Sequence, residues 1–583
     1  LIHTQREAWA YIPQMLHEEY VNFQGQQAYL MDGTPVVKDV RLCNRSDDFN
    51  ENKQVCAGIN SGGDTIVPND EQWRTVLVQG MGLAGSGYFA LDVTRPGGPH
   101  GSLSDVEFPD PVPLWEFDPN WEMGQMAAMP DDQREALYYP RSANLRDGQD
   151  ASGNYFISTD SDSCDRGRTG DSNGNGQQDY FWDQPFLGTS VGEAAIGTII
   201  VRSGLQGDSS SVRRPVAVFS GGAAGAHGTP CDRSKRSGRG VYVVDMQTGT
   251  MLRRFVDYWD PDDSKYKRFP TPVTGSPALH NATPGSLVTR GFVGDAEGRL
   301  YRIDMTDSNP ANWELSLFFD PAENTSELDA SGPFGPAAFK PSLALGSDAT
   351  NRNLLIFYGL GEPGDTTPAG DTQMVIALEE QYDTQAFNTT VTASSNLLWN
   401  VNLGDDGSSG SVVREKLTGE PVVFNRAVYF TTYAVPGEDV CLAGRSRIWG
   451  LKFEGEIDSD GDPTGLVQGV WDSSDPEFSG SGVEFGPGSP LAQWFSPQKE
   501  LLIRGLAVTL GPSCSTSVGG SSGGFNETDN RKPTLIAQTG TAAGAGGLDK
   551  TTGSGADALS RIEKTLEPPD SENIPLSWKV IRN

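Results

Sequence analysis

Apolar and polar positions alternate along this chain in short runs broken by glycine. The stretch "RTVLVQGMGLAGSGYFALDVT" (74–94) shows the unit: an apolar run, a glycine-rich turn, and a second apolar run ending in Asp. A third run with an aromatic follows, "VPLWEFD". The order recurs in "RPVAVFSGGAAG", "GRGVYVVDMQTG" and "MLRRFVD", then in "RGFVGDAEGRLYRIDMTD" (290–307) and "WELSLFFD". It recurs again in "NLLIFYGLGEPGD", "QMVIALEE" and "NLLWNVNLG", and in "NRAVYFTTYAVPGED", "SRIWGLKF" and "GLVQGVWD". Runs rich in Val, Ile, Tyr and Phe, bounded by turn residues, predict strands. Helical periodicity is scarce, with short candidates in "PDDQREALYY" from Pro130 and "DALSRIEKTL" from Asp557.

A meander of three or four strands cannot bury both of its faces alone. Repeated around an axis, such meanders become the blades of a propeller. The ends add "REAWAYIPQML", "PTLIAQTG" and "PLSWKVIRN", and closure is expected to pair the last strand with an early one. The expectation is an all-β chain: one β-propeller domain over residues 1–583 with about seven modified blades. Long insertions fall near 118–190 and 205–240, a Gly/Ser-rich loop region near 511–560, and helices are few and short.

Composition agrees with many short strands: 70 Gly and 38 Pro in 583 residues. The 44 basic and 77 acidic residues leave a net charge of −33. That argues against a nucleic-acid partner, whose phosphates need a basic footprint, and against binding an anionic membrane by charge alone. It suits solubility and divalent cations, although a solvated acidic surface needs no ligand. Membrane insertion is not expected, because no apolar run approaches about 18 residues. No signal-peptide pattern is visible at "LIHTQREAWA", so the chain reads as a mature protein or an excised domain.

Six cysteines and five histidines are present, with no CxxC spacing, which argues against zinc. Cys43 and Cys56 flank a polar loop, Cys164 and Cys231 sit in the insertions, and Cys441 and Cys514 lie in late loops. These six are read as three loop-stapling disulfides of an exported protein; the alternative is six free thiols in the cytosol. "GMGLAG" and "GLGEPG" match GxGxxG, but strands follow both, where a dinucleotide fingerprint must open a helix. They read as turns.

One segment carries candidate chemistry. In "GDSNGNGQQDYFWD" (170–183), oxygen-bearing side chains alternate from Asp171 to Asp179. A calcium loop needs oxygens at positions 1, 3, 5, 7 and 9, with Gly at 6 for the turn. Asp171, Asn173, Asn175, the Gln177 carbonyl and Asp179 fill those positions, and Gly176 the turn. Position 12 is Trp182 rather than Glu. The missing acid is then Asp183, or Asp160, Asp162 or Asp165 upstream. A second acidic group, Asp458, Asp460 and Asp462, shares part of this spacing, but Gly461 comes too early, which favours an acidic hairpin loop. Ca²⁺ is therefore the expected cofactor. No GxSxG, HExxH or P-loop motif appears, and no enzyme activity is expected.

The repeat resembles the C-terminal propeller of the PilY-type proteins, the type IV pilus tip-associated adhesins also called the Neisseria PilC family. Five segments carry the likeness: "AWAYIPQML"; "WRTVLVQGMGLAGSGYFALDVTRP" with "LWEFD"; "GVYVVDMQTG"; "GFVGDAEGRLYRIDM"; and "FNRAVYFTTYAVPGEDVCLAGRSRIWGLKF". The ending "PLSWKVIRN" is similar too. The resemblance implies a seven-bladed propeller at a pilus tip, outside the cell after passage through the periplasm. It implies minor pilins as partners, a surface or host-cell ligand, a role in adhesion and in pilus assembly and retraction, and calcium dependence. The family's DxDxN-type loop precedes the strand similar to "GFVGDAEGRLYRID", whereas "HNATPGSLVTR" stands there without a carboxylate. Two other readings compete. A quinoprotein-type propeller dehydrogenase is loosely echoed by "VVDMQTG" and "LWEFD"; a passive secreted scaffold would show no calcium effect.

Overall fold

The computed structural model describes residues 11–16, 31–43, 49–50, 55–56, 71–94, 111–128, 168–170, 179–180, 186–202, 211–223, 237–256, 258–260, 265–267, 269–281, 287–330, 332–346, 353–361, 371–382, 393–403, 415–434, 445–455, 469–470, 493–495, 501–510, 533–541 and 561–565. They form two compact units, Leu1–Phe319 and Asp320–Asn583.

The first unit holds three four-stranded antiparallel sheets in meander order. The first comprises β1 (Val36–Cys43), β4 (Glu71–Gly80), β5 (Tyr88–Asp92) and β6 (Val112–Phe117), with the pair β2 (Phe49–Asn50) and β3 (Val55–Cys56) between β1 and β4 in sequence. Helix α1 (Pro119–Ala128) and the pair β7 (Arg168–Gly170) and β8 (Asp179–Tyr180) follow. The second sheet is β9 (Ala195–Arg202), β10 (Ser211–Ser220), β11 (Gly240–Asp245) and β12 (Met251–Val256), followed by the pair β13 (Tyr258–Asp260) and β14 (Lys265–Lys267). The third is β15 (Ala278–Asn281), β16 (Val288–Gly294), β17 (Leu300–Asp304) and β18 (Glu314–Phe319).

The second unit opens with α2 (Thr325–Leu328) and a fourth sheet, β19 (Ser342–Leu345), β20 (Leu354–Gly359), β21 (Met374–Tyr382) and β22 (Ala393–Asn402). The fifth has β23 (Glu415–Leu417), β24 (Val422–Phe424), β25 (Ala427–Ala434), β26 (Arg445–Lys452) and β27 (Gln493–Phe495). The sixth has β28 (Leu501–Leu510), β29 (Pro533–Thr541) and β30 (Arg561–Thr565). The fold is all-β, built of propeller-like meander sheets, with six such sheets among the described residues.

Sheets stack face to face inside each unit. Val76, Val78, Tyr88 and Phe117 of the first sheet pack with Ala217, Phe219 and Tyr242 of the second. The opposite face of that second sheet, Val216, Val218, Val241 and Val243, packs with Val293, Tyr301 and Ile303 of the third. Burial on both faces is why "VAVF" and "VYVV" read as continuous apolar runs instead of alternating. In the second unit, Phe357, Val375 and Trp399 meet Phe430 and Trp449, while Tyr429 and Ile448 meet Ile503 and Leu535.

The Asp that closes the second run of a repeat has a mechanical role. Asp92, Asp245 and Asp304 each accept the amide two residues on, at 2.9 Å, from Thr94, Gln247 and Thr306. The intervening amides of Val93, Met246 and Met305 bond back to Thr75, Pro215 and Thr289 at 2.8, 3.0 and 2.7 Å. Each meander is thus locked at the same register.

Three expectations need correction. "DALSRIEKTL" supplies strand β30 at Arg561–Thr565, paired with Gln538–Thr534 of β29, so a ladder partner overrides helical propensity. The neighbour of β26 is Gln493–Phe495, whereas "GLVQGVWD" reaches Leu451 through an isolated bridge at Gly469. The first strand of each of the first four sheets, β1, β9, β15 and β19, stood outside the repeat as read from sequence. The candidate helix from Pro130 lies outside the described residues. The two GxGxxG matches lead into β5 and β21; Gly82, at φ 68, lies in the tight turn after β4.

Candidate metal-binding insertion and its anchor

The first insertion leaves the first sheet by β6 and α1. Asp118 caps the helix, its Oδ1 accepting the Trp121 amide at 2.6 Å, and Pro119 takes the first helical position, where no amide donor is needed. Glu122 follows, fully buried. Its carboxylate accepts Arg254 Nη1 at 2.6 Å and the Tyr242 hydroxyl at 3.0 Å. It also accepts the backbone amides of Phe186, at 3.1 Å, and Leu187, at 3.2 Å. The Arg254 side chain is 0% exposed and lies 5.4 Å from the Phe186 ring centroid. Burial, then the Glu122 charge, pushes the Tyr242 hydroxyl well above its ordinary range, so it stays protonated and donates. An ion pair this dry is tolerated only because further donors satisfy the carboxylate.

The return limb is fixed by backbone. Gly238 donates to the Phe186 carbonyl at 2.7 Å, Gly188 donates to Gly221 at 2.7 Å, and Thr189 and Ala223 exchange bonds at 2.8 Å. Entry and exit therefore meet on the second sheet. The entry is further tied to the β11–β12 turn by two indoles. Trp115 Nε1 donates to the Met246 carbonyl at 2.9 Å and Trp121 Nε1 to Gly249 at 3.3 Å. Asp245 builds that turn by accepting the Gln247 and Thr248 amides at 2.9 and 3.0 Å, and its Oδ2 faces Arg214 at 3.0 Å.

Of the residues read as calcium ligands, the structure describes one. Asp179 opens β8 and stands opposite Gly170 of β7, with Tyr180 opposite Arg168, so the flanks of the 171–178 segment pair antiparallel. Asp171, Asn173, Asn175, Gln177, Asp183, Asp458, Asp460 and Asp462 lie outside the described residues. So do Cys164, Cys231, Cys441 and Cys514. Cys43 ends β1 opposite Glu71, and Cys56 ends β3 opposite Phe49. Among the described residues, no group of three or more His, Cys, Asp or Glu could hold a metal ion. Among them also, no helix is long and apolar enough to cross a membrane.

Glu122 and Trp115 escaped the sequence reading as a site. A lone Glu in a helix with no apolar stripe gives no signal of burial. Trp115 was visible as the aromatic of "LWEFD", and "DMQTG" as a turn; only the structure puts one on the other.

No protein-family model matches the chain, and no curated protein matches it. Among solved structures, the C-terminal domain of Pseudomonas aeruginosa PilY1 aligns with 91% of this chain and 87% of its own, at 15% identity and TM-score 0.44. Drosophila Semaphorin 2a aligns with 56% of this chain and 52% of its own, at 10% identity and TM-score 0.24.

Proposed function

We propose that this chain is a non-enzymatic, calcium-binding protein of the type IV pilus tip. It works outside the cell with minor pilins, in adhesion and in pilus assembly and retraction. The observation that carries the cation is the pairing of Gly170 with Asp179. The Asp171–Asp179 alternation, with the ligand spacing of a calcium loop, lies between two strands that pair antiparallel. The pilus assignment is supported by the sequence resemblance. Its more specific segments fall on β4–β6, three of the four strands of the first sheet, and on β16–β17, the two inner strands of the third.

The quinoprotein-type dehydrogenase is the alternative, separated by adding pyrroloquinoline quinone with calcium and looking for dye-linked alcohol oxidation. "DMQTG" and the Trp of "LWEFD" meet through the Trp115–Met246 bond, which packs one sheet on the next. Titration calorimetry with calcium chloride tests the proposal. Wild-type protein gives a saturable heat that is lost in Asp171→Ala and in Asp179→Ala. Equal heats in all three would sink the loop assignment. Recovery of the chain from sheared pili, and its loss when minor pilins are deleted, tests the location.

A further inference from the structure

Strand β1 ends the first sheet. It pairs with β4 on one side, and among the described residues no strand lies on the other. Its ladder with β4 runs from Val36 to Cys43 without a bulge, and it holds no proline, so two of the usual guards on an open edge are missing. Val37 is 54% exposed, and Lys38, Asp39 and Arg41 are exposed beside it. An edge of this length offers its backbone groups to another strand.

The faces of β1 are fixed. Val40 and Leu42 pack in the cluster shared with the second sheet, and Lys38 Nζ donates to the Ile196 carbonyl at 2.7 Å. Val37, Asp39 and Arg41 point the other way, because side chains alternate along a strand. There Asp39 Oδ1 accepts the hydroxyl of Thr75, its ladder partner, at 2.7 Å.

Charges also guard an edge, and β1 carries three, but their order suits one occupant: a second β1. Two copies related by a two-fold axis normal to the sheet pair antiparallel and keep the same face up. Each residue then stands opposite itself or a residue an even number of places away. An axis through Lys38, Asp39 or Arg41 sets like charges together. An axis through Val40 sets Asp39 opposite Arg41 twice, Lys38 opposite Leu42 and Val37 opposite Cys43. Of the registers centred within the strand, this one alone pairs opposite charges.

We propose that β1 is a homodimer interface. Two copies of this chain pair edge to edge through Val37–Cys43, centred on Val40, with Asp39 and Arg41 exchanged across the axis. The interface rests on neither the calcium nor the pilus reading and is tested with no divalent cation present.

Light scattering on the whole chain reads the outcome. Wild type gives a mass that rises with concentration to twice that of the chain, as mass action requires. Asp39→Arg and Arg41→Asp each set like charges across the axis and stay at the chain mass under the same conditions. An equal mixture of the two variants returns to twice the chain mass, because each altered strand then meets its complement. The double variant Asp39→Arg/Arg41→Asp does so by itself. Wild type at the chain mass at every concentration overturns the proposal. So do single variants that dimerise as wild type does, or a mixture that stays at the chain mass. Hydrogen exchange of wild type needs no variant to fold. The β1 amides exchange more slowly as concentration rises, and exchange there that ignores concentration refutes the interface.

Discussion

The Trp115 indole donates to the Met246 carbonyl at 2.9 Å, and in the other unit the Trp399 indole donates to the Phe453 carbonyl at 3.0 Å. The two carbonyls are equivalent, because the Met246 and Phe453 amides bond back to Pro215 and Arg426, each at 3.0 Å. The two indoles are equivalent as well. Trp115 stands opposite Ala90 and Trp399 opposite Ala377, each beside a bulge in its ladder. Arg253 holds that register position in the second sheet, and its Nη2 donates at 3.2 Å to the carbonyl of Trp313, the residue just before β18 of the third. Burial lowers the Arg253 guanidinium to about 10, which leaves it cationic at neutral pH. One device therefore docks sheet on sheet: a long side chain at the bulge reaches the backbone of the next sheet.

Truncating these indoles should be costly. Trp115→Ala and Trp399→Ala are each expected to lose about 3–5 kcal/mol. Trp115→Phe keeps most of the buried ring and loses the hydrogen bond, leaving the Met246 carbonyl unpaired, at about 1–2 kcal/mol. Urea unfolding midpoints check both; a Phe variant as damaged as the Ala variant would deny the ring its packing role.

Gly249 and Gly505 share a φ of 69 but differ in surroundings. A Cβ on Gly249 would lie 2.6 Å from Trp115 Cγ, while one on Gly505 meets nothing within 4 Å. Gly505→Ala should cost only the left-handed backbone penalty, about 1–2 kcal/mol. Gly249→Ala should cost more, because it also pushes out the indole. Melting temperatures of the two variants rank them.

Two acids of the third sheet respond oppositely to pH. Burial holds the Asp295 carboxyl above its ordinary value of 3.8, against the pull of Arg299 and the amides of Glu297 and Arg299. Its contribution to stability is present below 3.8 and is lost as pH rises through the raised value. Asp304 is held below 3.8: burial alone would raise it, but the Thr306 hydroxyl and Arg302 outweigh that. Its contribution is present above 3.8 and is lost as pH falls through the lowered value. Relative to wild type, Asp304→Asn should therefore be more destabilised at pH 7 than at pH 3. Asp295→Asn should show the reverse trend. Unfolding free energies across that range decide it.

The buried ion pair should be asymmetric to mutation. Glu122→Met alone strands Arg254 and is expected to cost about 3–5 kcal/mol. Adding Arg254→Met removes the stranded guanidinium and should recover part of that loss, while the Tyr242 hydroxyl and the Phe186 and Leu187 amides stay without the Glu122 acceptor. Denaturant midpoints of the single and double variants measure the difference.

The strands of the second sheet were legible because both of its faces are buried, so "VAVF" and "VYVV" carry the signal undiluted. β15 and β19 were not, because "ALHN" and "SLAL" are too short to show a period. They are strands because a neighbour offers them a ladder, Ala278 opposite Phe292 and Ser342 opposite Phe357. The candidate cation segment was legible from spacing alone, and the structure adds the pairing of its flanks.

The sequence by itself determined the all-β class, the repeated meander with its closing Asp, the acidic character and the oxygen-rich segment at Asp171–Asp179. These are local properties of composition and period. The tertiary structure alone decided that Trp115 docks on Met246, and that Glu122 meets an arginine 132 positions away. Such choices belong to burial: a carboxylate or an indole is committed only when distant chain arrives to exclude water and supply the partner.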